Sequence, residues 1–512
     1  MSKSKAAKRR NNAANETQNK KIKVTGPPTP PLEDGHPLSI SELVSQEELE
    51  ITVETLQTLA RNPTMLKSKA CRDVRVAVYD VKNACTVGAL ASATDTNLTA
   101  RISAALTDEN YTDALILLAE MRIRGDSPKL GALCRWVRDL DVVSGLSMNS
   151  GGVSHAPLPR SARDKTLLKV LDSILRVTGF EDMTNTTSLP DGDDAICLQP
   201  AWDTSSSKIP STTPFSDCDH NIAASFKLIE TTPGPARKPP NLHPALLFLS
   251  DANTIPLPPP SHPITKHMHP AIPDLFLLSN VLSPQECHTI TTACTAVGFT
   301  PDAPILSSSN PLAASILAHN VYWLIDQPFH DALFERVRQH LPAHVAAKAL
   351  RGLNRRFRVY RYVPGAEYRC HIDGAWPPSG TTTSSSTTTS ASDGSISTPT
   401  YLYDASPATA RQSSLFTFLL YLNDDFSSGS TTFFVPSRAH GVLSAYPVKP
   451  VAGSVAVFPH GEASGALLHE GTGVAEGGVK YIIRTDVEYD VDPTEEVLPK
   501  VTPESDAIEE DK

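Results

Sequence analysis

The sequence predicts a multidomain α+β chain: a helical N-terminal part followed by an all-β sandwich with helices packed outside it. Three observations predict this. Helical apolar spacing runs through residues 39–146, short β-type runs broken by Gly, Pro, Ser and Asn fill 272–490, and a Ser-, Thr- and Pro-rich connection joins them. A chain of 512 residues ordinarily holds two or three domains, and 43 Pro against 26 Gly agree with long linkers.

Composition excludes several classes. A formal net charge of -10 argues against a chain that coats nucleic acid. No apolar run reaches the roughly eighteen residues of a membrane span, and the basic N-terminus lacks the apolar stretch of a signal peptide. The eight Cys are scattered without CxxC pairs, which predicts reduced thiols and an intracellular, soluble protein.

Taken in order, residues 1–38 read as a disordered basic tail. Lys8-Arg9-Arg10 and Lys20-Lys21-Ile22-Lys23 resemble a bipartite nuclear localisation signal or are a solvated basic tail, so nucleus and cytoplasm both stay open. Ser41 is the expected N-cap of a first helix, and a second helix is expected over 67–85. Residues 111–139 read as a helical hairpin, with Ala114, Leu115, Leu117, Leu118 and Met121 on one apolar face, Gly125 and Pro128 in the turn, and Leu130, Leu133 and Trp136 on the next. This unit resembles one pentatricopeptide-type repeat. It has no second copy, so the region 39–146 is expected to be a small bundle for protein contacts. Residues 147–271 form a linker with a helix at 164–177 and a Pro-rich extended part.

The β-rich region begins with the run LFLLSN. Ser283-Pro284-Gln285-Glu286 then signals a helix start, with Ser as N-cap, Pro at the first position and Glu closing a capping box. A second helix covers 326–341. Strands are expected at 357–362, 368–373, 415–422, 431–435, 454–458, 467–470 and 479–487. Residues 379–398, nearly pure Ser and Thr at first, read as a disordered loop, either a neutral insertion or a substrate-facing lid. The end, 491–512, is an acidic tail.

The chemistry gathers on YRYVPGAEYRCHID. On a strand, His371 and Asp373 lie two apart and share a face. His469 in LLHEG is the candidate third ligand. Two His and one carboxylate with open positions opposite is the ligand set of non-haem Fe(II) sites. Downstream, Lys480, Ile482 and Arg484 share one strand face. Two inward cations are costly to bury without an anion, and a dicarboxylate ligand would provide it. Nearby, Cys370 should face the core, Trp376 lines a substrate entrance, His460 reads as a structural residue of an exposed loop, and Asp424 and Asp425 as a solvated turn.

Residues 275–490 resemble the catalytic domain of the 2-oxoglutarate- and Fe(II)-dependent dioxygenases, on the prolyl 4-hydroxylase side of that superfamily. The matching stretches are NVLSPQEC, RVYRYVPGAEYRCHIDG, FTFLLYLNDDFSSGSTTFF, VAGSVAVFPH and LLHEGTGVAEGGVKYIIRTDV, in the family's order. The resemblance implies a double-stranded β-helix, or jelly roll. It also implies iron ligands His371, Asp373 and His469, and Lys480 at the distal carboxylate of 2-oxoglutarate. Tyr362, Tyr421 and Thr431 match positions that contact this cosubstrate. Ser428 stands where the family has the first Gly of a pair. Arg484 either replaces or assists Lys480. The implied reaction hydroxylates a substrate C–H bond with O2, releasing succinate and CO2, and ascorbate is an implied accessory. The expected substrate is a protein side chain, prolyl by default. A hydroxylase or demethylase of another substrate, a scaffold with a degenerate domain, and zinc at the same ligands are the alternatives.

Overall fold

The computed structural model describes residues 44–66, 68–91, 97–147, 160–182, 195–208, 215, 221–237, 240–303, 318–382, 399–462 and 465–492. The basic tail at 1–38, Ser41, most of the Ser/Thr-rich stretch and nearly all of the acidic tail lie outside them. The chain divides into two compact units, Met1–Ala93 and Thr94–Lys512.

The first unit contains helices α1 (Gln46–Arg61) and α2 (Arg72–Ala91). Helix α1 starts at Gln46, later than a cap at Ser41 implies, because Ser45 and Glu48 close a capping box around its first turn. Helix α2 starts at Arg72 rather than 67 because a 3-10 turn, Lys69–Cys71, precedes it. No residue of α1 is buried, and Ile51, Val53 and Leu56 are exposed.

The second unit opens with α3 (Leu98–Thr107), α4 (Tyr111–Arg124), α5 (Leu130–Leu140) and α6 (Ala162–Arg176). Gly125, at φ +72°, ends α4 in the left-handed conformation that glycine tolerates, and this makes the hairpin turn. The compact units divide at 93/94 rather than near 146 for a packing reason. Ile102, Leu118, Leu133, Trp136 and Leu171 from these helices share a buried core with Cys370, Phe434, Leu443 and Leu468 from strands and with Ile372, which follows the strand of Cys370. Each such aliphatic side chain contributes about 1.5–3 kcal/mol on burial, and part of the core that receives them is supplied by sheet residues.

The strands and remaining helices follow in order: β1 (Ile196–Leu198), β2 (Phe226–Thr232), β3 (Ala245–Ser250), β4 (Thr265–Met268), β5 (Phe276–Ser279), α7 (Pro284–Val297), β6 (His319–Leu324) and α8 (Gln327–Val337). Then come β7 (His344–Val345), β8 (Lys348–Leu353), β9 (Arg356–Tyr362), β10 (Tyr368–His371), β11 (Gly380–Thr381), β12 (Tyr401–Leu402) and β13 (Gln412–Tyr421). The last are β14 (Thr431–Pro436), β15 (Leu443–Val448), β16 (Val455–Pro459), β17 (Leu468–Gly471) and β18 (Lys480–Asp490). Helix α7 has the capping box and first-position Pro that its sequence announces. Residues 184–271 do more than connect. Strands β1 to β4 lie there and join the sheets, β1 through parallel pairing with β15 and β3 through parallel pairing with β6.

Among the described residues, a small sheet runs β1-β15-β14-β17-β10, and a large one runs β2-β3-β6-β9-β18-β13-β16-β5-β4 with β8 also on β18. From β9 onward the chain passes back and forth between them, with β9, β13, β16 and β18 in the large sheet and β10, the β14–β15 hairpin and β17 in the small one, while β11 and β12 form a separate ladder. Tyr360, Leu419 and Ile482 of the large sheet pack with Phe433 and Val435 of the small one in an inner core. On β13, Phe418 and Leu420 turn the other way, toward Ile290 of α7 and Leu333 of α8. Both faces of β13 are therefore buried, which is why FTFLLYL shows no polar alternation. The short β11–β12 ladder closes the ends of the Ser/Thr-rich stretch, pairing Gly380 with Leu402.

Candidate metal centre

Strand β10 pairs antiparallel with β17, and the register sets His371 opposite His469. Asp373 lies just past the end of β10, two positions from His371 and on the same side. The ligand atoms of His371, Asp373 and His469 lie within 4.8 Å of one another, and this is the one such group among the described residues. His371 Nε2 is 3.6 Å from Asp373 Oδ1, and His469 Nε2 is 3.6 Å from Oδ2. These spans exceed a hydrogen bond and leave space for one ion.

The imidazole tautomers are set by the backbone. His371 Nδ1 meets the Arg369 carbonyl oxygen at 2.7 Å, and His469 Nδ1 meets that of Leu467 at 3.1 Å. A carbonyl only accepts, so each Nδ1 carries the proton and each Nε2 presents a lone pair inward. Burial, and then the neighbouring His371, push His469 down to about 3, so it stays neutral and ligating. Burial disfavours ionisation of Asp373, but the neighbouring Arg484 guanidinium outweighs it and holds the carboxyl well below its usual range.

Behind these ligands the strands face the helices. Cys370 points away from the centre, as its position in the strand requires, and its Sγ lies 3.4 Å from Glu470 Oε2. Ser144 donates to Glu470 Oε1 at 2.7 Å, and burial pushes Glu470 up to about 7.

The two inward cations differ. Arg484 Nε lies 3.3 Å from Asp373 Oδ1, and its NH2 group lies 3.1 Å from Asp486 Oδ1. Its anions are therefore supplied by the protein. Lys480 is buried, and among the described residues its ammonium donates to the Gly429 carbonyl at 2.6 Å and meets no carboxylate. Burial drops it from 10.5 to about 7. Tyr362 pairs in register with Lys480, whose Nζ sits 5.2 Å from the Tyr362 ring and 5.9 Å from the Tyr421 ring. The Tyr421 hydroxyl donates to Thr431 Oγ1 at 2.9 Å. Tyr362, Tyr421, Thr431 and Lys480 thus form one polar wall of the inner core. Ser428 takes the left-handed conformation at φ +64°, with its hydroxyl anchored on the Gly473 carbonyl at 2.8 Å. Gly429 follows at φ +72°, where a Cβ would sit 2.8 Å from the Phe426 ring.

Three further expectations change or take definite form. His460 is not in an exposed loop: it is 1% exposed, with its ring between Ser414 and Thr417 at 2.8 and 2.7 Å. Asp424 is paired with Lys208 at 2.7 Å rather than free in a turn. Trp376 is half-buried, 5.5 Å from the Tyr403 ring and 5.0 Å from the Arg356 guanidinium. Asp486, Thr417 and Ser414 were not singled out by the sequence. A polar residue inside an apolar strand run, such as Thr417 in FTFLLYL, was the available signal.

No protein-family model and no curated protein matches this sequence. Among solved structures, the chain is similar to the non-heme alpha-ketoglutarate-dependent carbocyclase SnoK from nogalamycin biosynthesis, at 14% identity and TM-score 0.27, over 43% of this chain and 80% of that one. It is also similar to an oxidoreductase of the 2OG-Fe(II) oxygenase family from Burkholderia pseudomallei, at 12% identity and TM-score 0.16, over 44% and 72%.

Proposed function

We propose that this chain is an Fe(II)- and 2-oxoglutarate-dependent dioxygenase that hydroxylates a C–H bond, with release of succinate and CO2. The observation that carries the reading is the convergence of two tautomer-fixed imidazoles and one ionised carboxylate, together with a buried lysine that meets no carboxylate among the described residues. The crossing of successive strands between the two sheets supports a double-stranded β-helix around this centre. A protein side chain, prolyl by default, is the proposed substrate, and it follows from the resemblance of the motif stretches alone.

The residues fit the implied groups. His371, Asp373 and His469 offer two nitrogens and one oxygen, a donor set suited to Fe(II). Lys480, with Tyr362, Tyr421 and Thr431 near it, offers the cation and hydroxyls that a carboxylate needs in a buried site. Bound iron with 2-oxoglutarate supplies the activation of O2 for C–H oxidation. The protein's own work is positional. Arg484 holds the Asp373 carboxylate ionised, the backbone carbonyls of Arg369 and Leu467 aim the imidazoles, and Phe433 and Phe458, with ring centres 5.7 and 4.8 Å from that of His469, keep water from that side.

The test is succinate production from 2-oxoglutarate with Fe(II), without added substrate. Turnover in the wild type that disappears in His371→Ala supports the reading. Absence of both Fe(II) uptake and succinate in the wild type would falsify it.

A further inference from the structure

A buried histidine that the proposed chemistry does not use is wired to a metal ligand. Thr417 Oγ1 lies 2.7 Å from Asp373 Oδ2, and an ionised carboxylate only accepts, so the Thr417 hydroxyl donates its single proton there. The 2.7 Å contact between Thr417 Oγ1 and His460 Nδ1 must then run the other way, with Nδ1–H as donor. Burial pushes His460 down to about 3, so the ring is neutral and its Nε2 is bare. Nε2 accepts from the Ser414 hydroxyl at 2.8 Å. The Ser414 oxygen accepts in turn from the Trp376 backbone N–H at 2.9 Å, and Ser414 N–H returns to the Trp376 carbonyl at 2.9 Å. Each hydroxyl and each ring nitrogen has one direction left to it. The path leaves Trp376 and returns to Asp373, three residues earlier, so it closes a ring around the ligand turn.

Gly461 makes this placement feasible. A Cβ there would fall 2.4 Å from Leu415 Cδ2 and 2.5 Å from the Ser414 carbonyl oxygen. Only glycine lets the chain after β16 lie this close to β13, and that approach seats the preceding imidazole between Ser414 and Thr417.

We propose that His460 is a positioning residue for the metal centre: as the Nδ1–H tautomer it orients the Thr417 hydroxyl, which fixes the Asp373 carboxylate as a ligand. The role rests on the reading of His371, Asp373 and His469 as a metal site. Arg484 pins Oδ1, and the His460–Thr417 chain pins Oδ2, so the carboxylate plane is held from both sides. Groups that orient a metal ligand in this way typically account for about 10–100-fold in metal affinity.

The test is titration of Mn(II) alone into the metal-free full chain, with the melting temperature of each metal-free variant recorded beside it. His460→Leu and Thr417→Val should each weaken Mn(II) by about 10–100-fold. The double variant should lose no more than either single one, because both cut the same chain. His460→Asn keeps an amide N–H where Nδ1–H sits and should stay within about threefold of the wild type. A long-range 15N spectrum of the metal-free protein should show His460 as the neutral Nδ1–H tautomer. That measurement needs no variant and stands if His460→Leu does not fold. An Nε2–H tautomer, additive losses, or a His460→Asn loss equal to that of His460→Leu overturns the positioning role and leaves the metal site standing. A wild type that takes up no Mn(II) overturns the metal site itself, and the positioning role with it.

Discussion

Lys480 offers the sharpest quantitative test, because its charge is set by burial alone. Its ammonium falls from 10.5 to about 7 in the folded protein, equivalent to about 5 kcal/mol of disfavoured charge at 1.36 kcal/mol per tenfold change in proton affinity. The unfolded chain therefore binds the proton more tightly, and the cost of charging Lys480 weighs fully on the unliganded fold below about pH 7. That cost fades as pH rises from about 7 to 10.5, so stability should rise across the window. Lys480→Met removes the charge and the cost at the expense of one hydrogen bond, worth about 1 kcal/mol. In thermal unfolding without ligand, the variant should melt above the wild type near neutral pH, with the gap closing toward about pH 10.5. Binding should show the opposite preference. A dicarboxylate needs the charged lysine, so calorimetry of 2-oxoglutarate on the Mn(II)-loaded protein should show affinity falling about tenfold per pH unit above 7, with proton uptake near one per ligand at about pH 8. Lys480→Arg, charged throughout, should take up no proton. A flat pH dependence, or a Lys480→Met variant that melts below the wild type at every pH, would refute the reasoning.

Other outcomes follow from the same geometry. Arg484→Ala leaves the buried carboxylates of Asp373 and Asp486 without their shared cation, and urea unfolding should show a loss of about 3–5 kcal/mol. Its effect on 2-oxoglutarate affinity should be smaller than that of Lys480→Met, because Arg484 already has protein anions. Gly461→Ala should destabilise by about 1–3 kcal/mol, the usual range for overpacking, and should weaken Mn(II) binding because it displaces His460. His371→Ala should abolish high-affinity Mn(II) uptake by calorimetry while leaving the melting temperature of the metal-free protein nearly unchanged, since its ring is partly exposed.

What the sequence determined by itself was local. Ser283, Pro284 and Glu286 specified the start of α7 because a capping box is written within four residues. Strands β9, β10, β13, β14, β16, β17 and β18 could be placed because their apolar and β-branched runs are bounded by turn residues, and His371 and Asp373 could be paired because strand geometry puts alternate residues on one side. What only the tertiary structure decided depends on partners distant in the chain. Strand β1 exists because β15 completes its ladder, and nothing in Ile196–Leu198 announces that partner. Residues 39–146 read as a bundle and 164–177 as a helix in a linker, until the strand residues that finish the core of the helices between 98 and 176 are known. Lys480 and Arg484 look equivalent on one strand face, and only the fold separates them: it brings Asp373 and Asp486 to Arg484 and, among the described residues, no carboxylate to Lys480. His460 carries no local mark of its surroundings, because a histidine after a strand looks the same in a loop as in a core. Its burial, its tautomer and its link to Asp373 arise where β13 and β16 meet, and long-range packing alone creates that meeting.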